Sequence, residues 1–290
     1  MTLWQDYRQP LSISQAIEDL TSAPTPVMPI AGGTDLLLDM RQGRHEPVHT
    51  LVDLTGIPQM KLIEYRDGSL FIGACVPINR ITDDPLVFEN ARALHEACNL
   101  IAGPQVRNTA TLGGNVAHAL PAADGTIALL ALDATVEITG IEGQKQVPLL
   151  DLFLGPGKST LKNTEIITGF LLPINQPCQA SSFKRIMRPQ GVALPILNCA
   201  VWVDRDDEFI TDIRISVGPG GPTPFRGTEA ETVMRNQNLK EDLIEQAYEA
   251  LLSQGRFRTS KHRATSDYRK HILFGLFRDT FFQAWTRCAE

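Results

Sequence analysis

Two pairs of adjacent glycines, Gly32-Gly33 and Gly113-Gly114, constrain this chain more than any other feature. The first pair sits in Ala31-Gly-Gly-Thr-Asp35, after the mostly apolar run Val27-Met-Pro-Ile30 and before Leu36, Leu37 and Met40. It therefore joins a short strand to a helix, for which Gly43 is a plausible C′ residue. The second pair sits in Thr111-Leu-Gly-Gly-Asn115, within a stretch whose pattern reads as irregular. Consecutive glycines let the backbone approach a ligand closely, so that their N–H groups can converge on phosphate oxygens. Thr34 and Thr111 add hydroxyl donors, and the helix opening near Leu36 adds its positive end. Two such loops, their first glycines 81 positions apart, suit a pyrophosphate clasped from both sides. Neither loop has the glycine spacing of a Rossmann fingerprint or a P-loop, and taken alone either pair reads as a tight turn.

The rest of the chain alternates short strands and helices. Ser12 and Gln15 form a capping-box signal ahead of Ile13, Ala16, Ile17 and Leu20, which share one helical face. Residues 21–26 break that helix, and Leu51-Val-Asp-Leu54 closes a small α/β unit. A second α/β segment follows over about 58–175. It holds a strand at 70–76 and, after Asp84-Pro85, one helix through Leu86, Ala93, Leu94, Ala97 and Ile101. Next come a capped helix from Asp124 and strands at 135–139 and 165–172. Residues 173–180, with two prolines and no periodicity, read as a linker. Beyond it lie strands at 200–203 and 213–217 and the turn Val217-Gly-Pro-Gly-Gly-Pro-Thr-Pro224. A helix opened by an Asn238/Glu241 capping box and a last amphipathic helix over about 267–285 complete the pattern. Strands followed by helices predict an α+β C-terminal domain over 180–290.

Composition removes several function classes. The net charge of −6 and pI near 5.6 give no electrostatic case for nucleic acid. The basic run Arg256, Arg258, Lys261, His262, Arg263, Arg269, Lys270 reads as a solvated face or a partner contact. Five cysteines (75, 98, 178, 199 and 288) lie far apart, which argues against a local zinc or iron–sulfur site and for reduced, buried thiols. The opening residues carry no secretory pattern, and the best apolar run, 127–132, is far below the ~20 residues of a membrane span. A cytoplasmic chain is expected. His45 and His49 flank Pro47 and read as a surface loop rather than a helical metal pair; His118 follows the second glycine loop, a position open to a bound cofactor, and receives no chemical role.

The text around the glycine loops is more specific than the loops themselves. It runs Ile101-Ala-Gly-Pro-Gln-Val-Arg-Asn-Thr-Ala-Thr-Leu-Gly-Gly-Asn-Val-Ala117, then Pro121-Ala-Ala-Asp124. With Ala31-Gly-Gly-Thr-Asp35, this resembles the FAD-binding subunit of the molybdenum hydroxylases, the group of xanthine dehydrogenase, aldehyde oxidoreductase and aerobic carbon monoxide dehydrogenase. The likeness continues through Glu165-Ile-Ile-Thr-Gly-Phe-Leu-Leu-Pro173, Ser182-Phe-Lys-Arg185, the 217–224 turn and Ser266-Asp-Tyr-Arg269, so it spans essentially the whole chain in order.

The resemblance implies an α+β architecture: two N-terminal α/β subdomains, about 1–57 and 58–175, forming an FAD-binding fold of the vanillyl-alcohol-oxidase/MurB-like type. A C-terminal α+β domain with a small antiparallel sheet and helices would pack beside them. It implies FAD held at the pyrophosphate by Pro29, Ile30, Ala31, Gly32, Gly33, Thr34, Asp35 and Leu36, and from the other side by Thr111, Gly113, Gly114 and Asn115. Asp124 matches an acidic contact to a ribose hydroxyl, or else caps its helix. Ile101 matches an apolar cofactor contact or is core packing. Ile167 and Lys184 match positions near the isoalloxazine, with a surface lysine the plain alternative for Lys184. One departure stands out: Arg188-Pro-Gln-Gly-Val-Ala193 replaces a segment in which relatives often carry an acidic residue, which leaves the electron acceptor open.

The implied function is electron transfer. A large subunit with a molybdenum–pterin centre hydroxylates substrate, and a small subunit with two 2Fe-2S clusters relays electrons to the FAD of this chain. NAD, a quinone, ferredoxin or oxygen accepts them, in an assembly expected to be a dimer of heterotrimers. No residue here need act as acid, base or nucleophile. Two rivals remain: a self-contained FAD-dependent oxidoreductase acting on a small molecule, for which the sequence offers no convincing base, and a scaffold that has lost FAD.

Overall fold

The computed structural model describes residues 2–188, 194–261 and 263–289. The departure at Pro189 to Ala193 and the His262 of the basic run lie outside the described residues.

In the first segment, β1 (Asp6–Arg8), α1 (Ile13–Ser22), β2 (Val27–Ile30), α2 (Leu36–Arg41) and β3 (Thr50–Asp53) form a three-stranded sheet in the order β1-β3-β2. Both pairings are parallel. Ser12 caps α1 by accepting from the Gln15 N–H, as its sequence signal predicts, and Ala16 and Leu20 are buried.

The second segment opens with β4 (Ile63–Arg66) and β5 (Ser69–Gly73), then α3 (Ile78–Asp83), α4 (Pro85–Asn90), α5 (Arg92–Leu100), α6 (Pro104–Arg107), α7 (Leu112–Ala117) and α8 (Asp124–Ala131). It closes with β6 (Thr135–Gly140), β7 (Gly143–Pro148), the small hairpin β8 (Phe153–Gly155) and β9 (Lys158–Ser159), and β10 (Ile166–Pro173). Its main sheet, β4-β5-β10-β6-β7, is antiparallel throughout. The expected strand at 70–76 ends at Gly73, where the Cys75 N–H turns to the Met60 carbonyl and the Val76 N–H to that of Gly73. The expected single helix after Asp84 is two: Asp84 caps α4, and the chain leaves helical geometry at Ala91 (φ −135°, ψ 52°) before α5.

The C-terminal segment is built on β11 (Gln179–Met187), β12 (Pro195–Asp206), β13 (Phe209–Gly218) and β14 (Phe225–Arg226). It is completed by α9 (Thr228–Met234), β15 (Gln237–Asn238), α10 (Glu241–Gln254) and α11 (Ser266–Arg287). Its sheet runs β11-β12-β13-β14, with β15 on β13, all antiparallel. Asn238 is not the cap predicted for the helix that follows: it pairs with Phe209 in β15, and Lys240 occupies the N-cap position of α10.

Every residue of α8 is buried, which an apolar helix without a polar face requires. It lies with α5 between the second and third sheets, so one apolar cluster runs from Leu70 and Ile72 through α8 to Phe183, Ala200 and Trp202. A second cluster fills the C-terminal segment between its sheet and α9, α10 and α11. Among the described residues no helix is long and apolar enough to cross a membrane.

Candidate functional site

The two glycine loops touch, and they do so through backbone. A Cβ on Gly32 would stand 2.1 Å from the Thr109 carbonyl oxygen and 2.9 Å from Ala110 Cα. Gly33 has a different reason to be glycine: its φ of +66° turns the chain from β2 towards α2, a conformation that side-chain-bearing residues rarely adopt. Along 32–35 none of the four backbone N–H groups has a hydrogen-bond acceptor among the described residues, and Gly32, Gly33 and Thr34 are only half-buried. Adjacent unpaired N–H groups open to solvent are what an oxyanion needs. This cradle fits the pyrophosphate of FAD.

The second loop is not irregular, as its sequence suggested, but the start of α7. Thr111 is the N-cap, and its hydroxyl accepts from the Gly114 N–H at 3.1 Å. The Gly113 N–H donates to the Ala74 carbonyl at 2.8 Å, and a Cβ on Gly113 would lie 2.7 Å from Ala74 Cβ. The N–H groups of this pair are thus engaged within the protein. Further bonds, Ile78 N–H to Ala110 O and Leu112 N–H to Val76 O, fasten the loop to the segment after β5. Asn115 turns the other way: its side-chain oxygen accepts from the Thr126 N–H at 3.1 Å, tying α7 to α8. The second loop therefore presents Thr109 and Ala110 to Gly32 and carries the first loop on a fixed support.

A residue given no role from sequence completes the junction. His118, the C-cap of α7, lies between two carboxylates of the first loop and its helix, with Nδ1 3.6 Å from Asp35 and Nε2 3.4 Å from Asp39. Its position one turn beyond Gly114 was the available signal; its partners lie about 80 residues away along the chain.

Asp124 is the first residue of α8 rather than its cap, which is Ala123. Its carboxylate, 5% exposed, accepts from Arg185 Nη1 at 2.5 Å and Asn198 Nδ2 at 2.6 Å. Burial holds the carboxyl above the usual carboxylate value, with Arg185 and Asn198 pulling the other way. The Asn198 amide also donates to the Ala122 carbonyl, and a Cβ on Gly218 would meet Asn198 Oδ1 and the Pro121 carbonyl. Three sequence motifs far apart in the chain (121–124, 182–185 and 217–224) thus converge on one buried polar junction between α8 and the third sheet.

The remaining expected site residues lie on other elements. Ile101 follows α5, packs against the main core, and gives its carbonyl to Arg107. Ile167 is buried in β10 at a register shift, and its neighbour Thr168 accepts from the Ala74 N–H beneath Gly113. Lys184 is half-buried in β11 and lines a groove of about 570 Å³ with Leu100, Arg185, Ile186, His271 and Asp279.

Known proteins resemble this chain along its length. A family model described as "FAD binding domain in molybdopterin dehydrogenase" matches residues 4–175, and one described as "CO dehydrogenase flavoprotein C-terminal domain" matches 181–284. The xanthine dehydrogenase FAD-binding subunit of Escherichia coli O157:H7 is 32% identical over 275 residues, 92% of this chain and 91% of that one. The nicotine 6-hydroxylase medium subunit of Paenarthrobacter nicotinovorans is 31% identical over 97% of both chains. Among solved structures, the fold superposes on a chain of Hydrogenophaga pseudoflava carbon monoxide dehydrogenase with a TM-score of 0.93, 26% identity and 98% coverage of each chain. With an FAD-binding domain over more than half its length, relatives above 30% identity along nearly all of it, and the same tertiary structure, the chain belongs to the FAD-binding medium-chain subunits of the molybdenum hydroxylase family.

Proposed function

We propose that this chain is the electron-transfer subunit of a molybdenum hydroxylase complex, with residues 1–175 as its FAD-binding unit and 180–290 as a flavoprotein domain closing on it. When bound, FAD supplies the redox chemistry, taking electrons from 2Fe-2S clusters on a small partner subunit and yielding them to NAD, a quinone, ferredoxin or oxygen. Hydroxylation itself belongs to a large partner subunit with a molybdenum–pterin centre. The assembly is a dimer of heterotrimers in the cytoplasm.

The part played by this chain's residues is binding and orientation. The N–H groups over 32–35 hold the pyrophosphate, and Pro29, Ile30 and Leu36 flank them. Thr111, Gly113, Gly114 and Asn115 hold the shelf on which that loop rests. Ile101, Ile167 and Lys184 mark the path towards the flavin ring. Asp124, with both oxygens committed to Arg185 and Asn198, fixes β11 and therefore Lys184 against α8. The observation that carries this reading is the stack of Gly32 on the Thr109 carbonyl beside four unpaired N–H groups.

Titrating the full-length, flavin-free chain with FAD tests it. Stoichiometric binding with the absorption bands of a protein-bound flavin is expected, and Gly33→Val should abolish it. Failure to take up FAD defeats the proposal; turnover of a small molecule by this chain alone would favour a self-contained oxidoreductase.

A further inference from the structure

His118 joins the two glycine loops by side chain where Gly32 and Thr109 join them by backbone. Its ring bridges Asp35, the last residue of the loop with unpaired N–H groups, and Asp39, one turn on in α2. Asp39 also meets Arg44, whose guanidinium lies 2.7 Å from the other carboxylate oxygen. Among the described residues, the charged groups that act most on the imidazole are Asp35 and Asp39, and those that act most on Asp35 are His118 and Arg44, with burial opposing them in both.

Two carboxylates beside a loop that receives a diphosphate would repel it. With the imidazole protonated, Asp35, Asp39, His118 and Arg44 together carry no net charge; with it neutral they carry −1. Asp35 belongs to the loop itself, so this one-charge difference sits beside an anion held by its N–H groups, where charges closer than the ~8 Å screening length of physiological salt still interact. The same ring, at the C-cap of α7, touches Asp39 of α2 and so links the two helices that carry the loops.

Resting on the reading that these loops hold FAD, we propose that His118 is a positioning residue for the cofactor: as an imidazolium it clamps α2 to α7 and cancels the carboxylate charge beside the pyrophosphate cradle. The close contact with the Asp35 carboxylate raises the imidazole above its ordinary 6.5 despite burial, and the same contact lowers Asp35 below its ordinary 3.8. The clamp is therefore complete between about pH 4 and 6.5 and is lost as pH rises through the raised imidazole value.

The test is FAD affinity of the full-length chain, read by flavin fluorescence between pH 6 and 8.5, with the His118 imidazole followed by NMR. Affinity should fall by up to about tenfold across that range as the imidazole loses its proton, about 1.4 kcal/mol of lost attraction. His118→Ala should bind weakly and without pH dependence, and His118→Arg should restore affinity and keep it flat. A wild-type affinity indifferent to pH and to His118→Ala, or an imidazole titrating at or below 6.5, overturns the inference while leaving the FAD site intact. Absence of FAD binding by the wild type at every pH overturns the site itself and the clamp with it.

Discussion

Replacing Gly32 by alanine adds one methyl group at the point where the two loops meet. The new Cβ would lie 2.1 Å from the Thr109 carbonyl oxygen, with Thr109 C at 2.8 Å and Ala110 Cα at 2.9 Å. All three are backbone atoms, so no side chain can rotate away. Restoring an ordinary carbon–oxygen contact of about 3.3 Å requires the loops to part by roughly 1.2 Å. The second loop resists, because Ala110 holds the Ile78 N–H, Thr111 pairs with Pro77, and Leu112 bonds to Val76. Overpacking of this kind costs about 1–3 kcal/mol. Borne by the cofactor-binding geometry, that is a loss of roughly 5- to 150-fold in FAD affinity. Borne by the fold, it lowers Tm by about 2–4 °C per kcal/mol. Fluorescence titration and thermal denaturation of the same variant measure both. Gly114→Ala is the control: its Cβ would meet only the Thr111 hydroxyl, at 3.2 Å, and it replaces a helical glycine, worth about 0.5–1 kcal/mol in favour of alanine. Its flavin-free Tm should therefore equal or exceed that of the wild type. Wild-type FAD affinity and Tm in Gly32→Ala would refute the argument that the loops meet backbone to backbone.

Two further outcomes follow from buried groups. Arg185→Ala strands the Asp124 carboxylate at the junction of α8 and the third sheet, for a loss of about 3–5 kcal/mol in urea denaturation, whereas Arg185→Met with Asp124→Leu should recover most of it. A single variant within 1 kcal/mol of wild type would show that the pair is not buried together. Among the thiols, burial pushes Cys75 and Cys199 up to about 12 and Cys288 to about 11, while Cys178 is exposed. Alkylation at neutral pH should label Cys178 in the native chain and leave Cys75, Cys98 and Cys199 unreacted until denaturant is added; early modification of any of those three counts against the packing around it.

Local sequence determined most of the local structure. Ser12 caps α1 as written, although the Gln15 side chain accepts from the Leu11 N–H and not from that of Ser12; Asp84 with Pro85 opens α4, and the glycine at 33 marks a left-handed turn, because each of these depends on residues within one helical turn. The family, too, was legible, since its motifs are contiguous strings. What failed were readings in which a nearby rule competed with a distant partner. Asp124 stands where a helix cap is expected, yet its carboxylate goes to Arg185 and Asn198, 61 and 74 positions away. Asn238 matches a capping box but pairs with Phe209 in a strand.

The glycine pairs divide the same way. Sequence alone gave both one purpose, that of freeing N–H groups for a phosphate. Tertiary structure separates them: Gly32 admits the Thr109 carbonyl, Gly113 admits Ala74, and the N–H groups of the second pair are spent on Ala74 and Thr111. His118 shows the limit most plainly. Its meaning lies in Asp35 and Asp39, which only the docking of α7 against α2 brings to it. Backbone conformation is set by neighbours in the chain. The partner of a buried or bridging polar group is set by whichever segment packs against it, and the sequence carries no local mark of that choice.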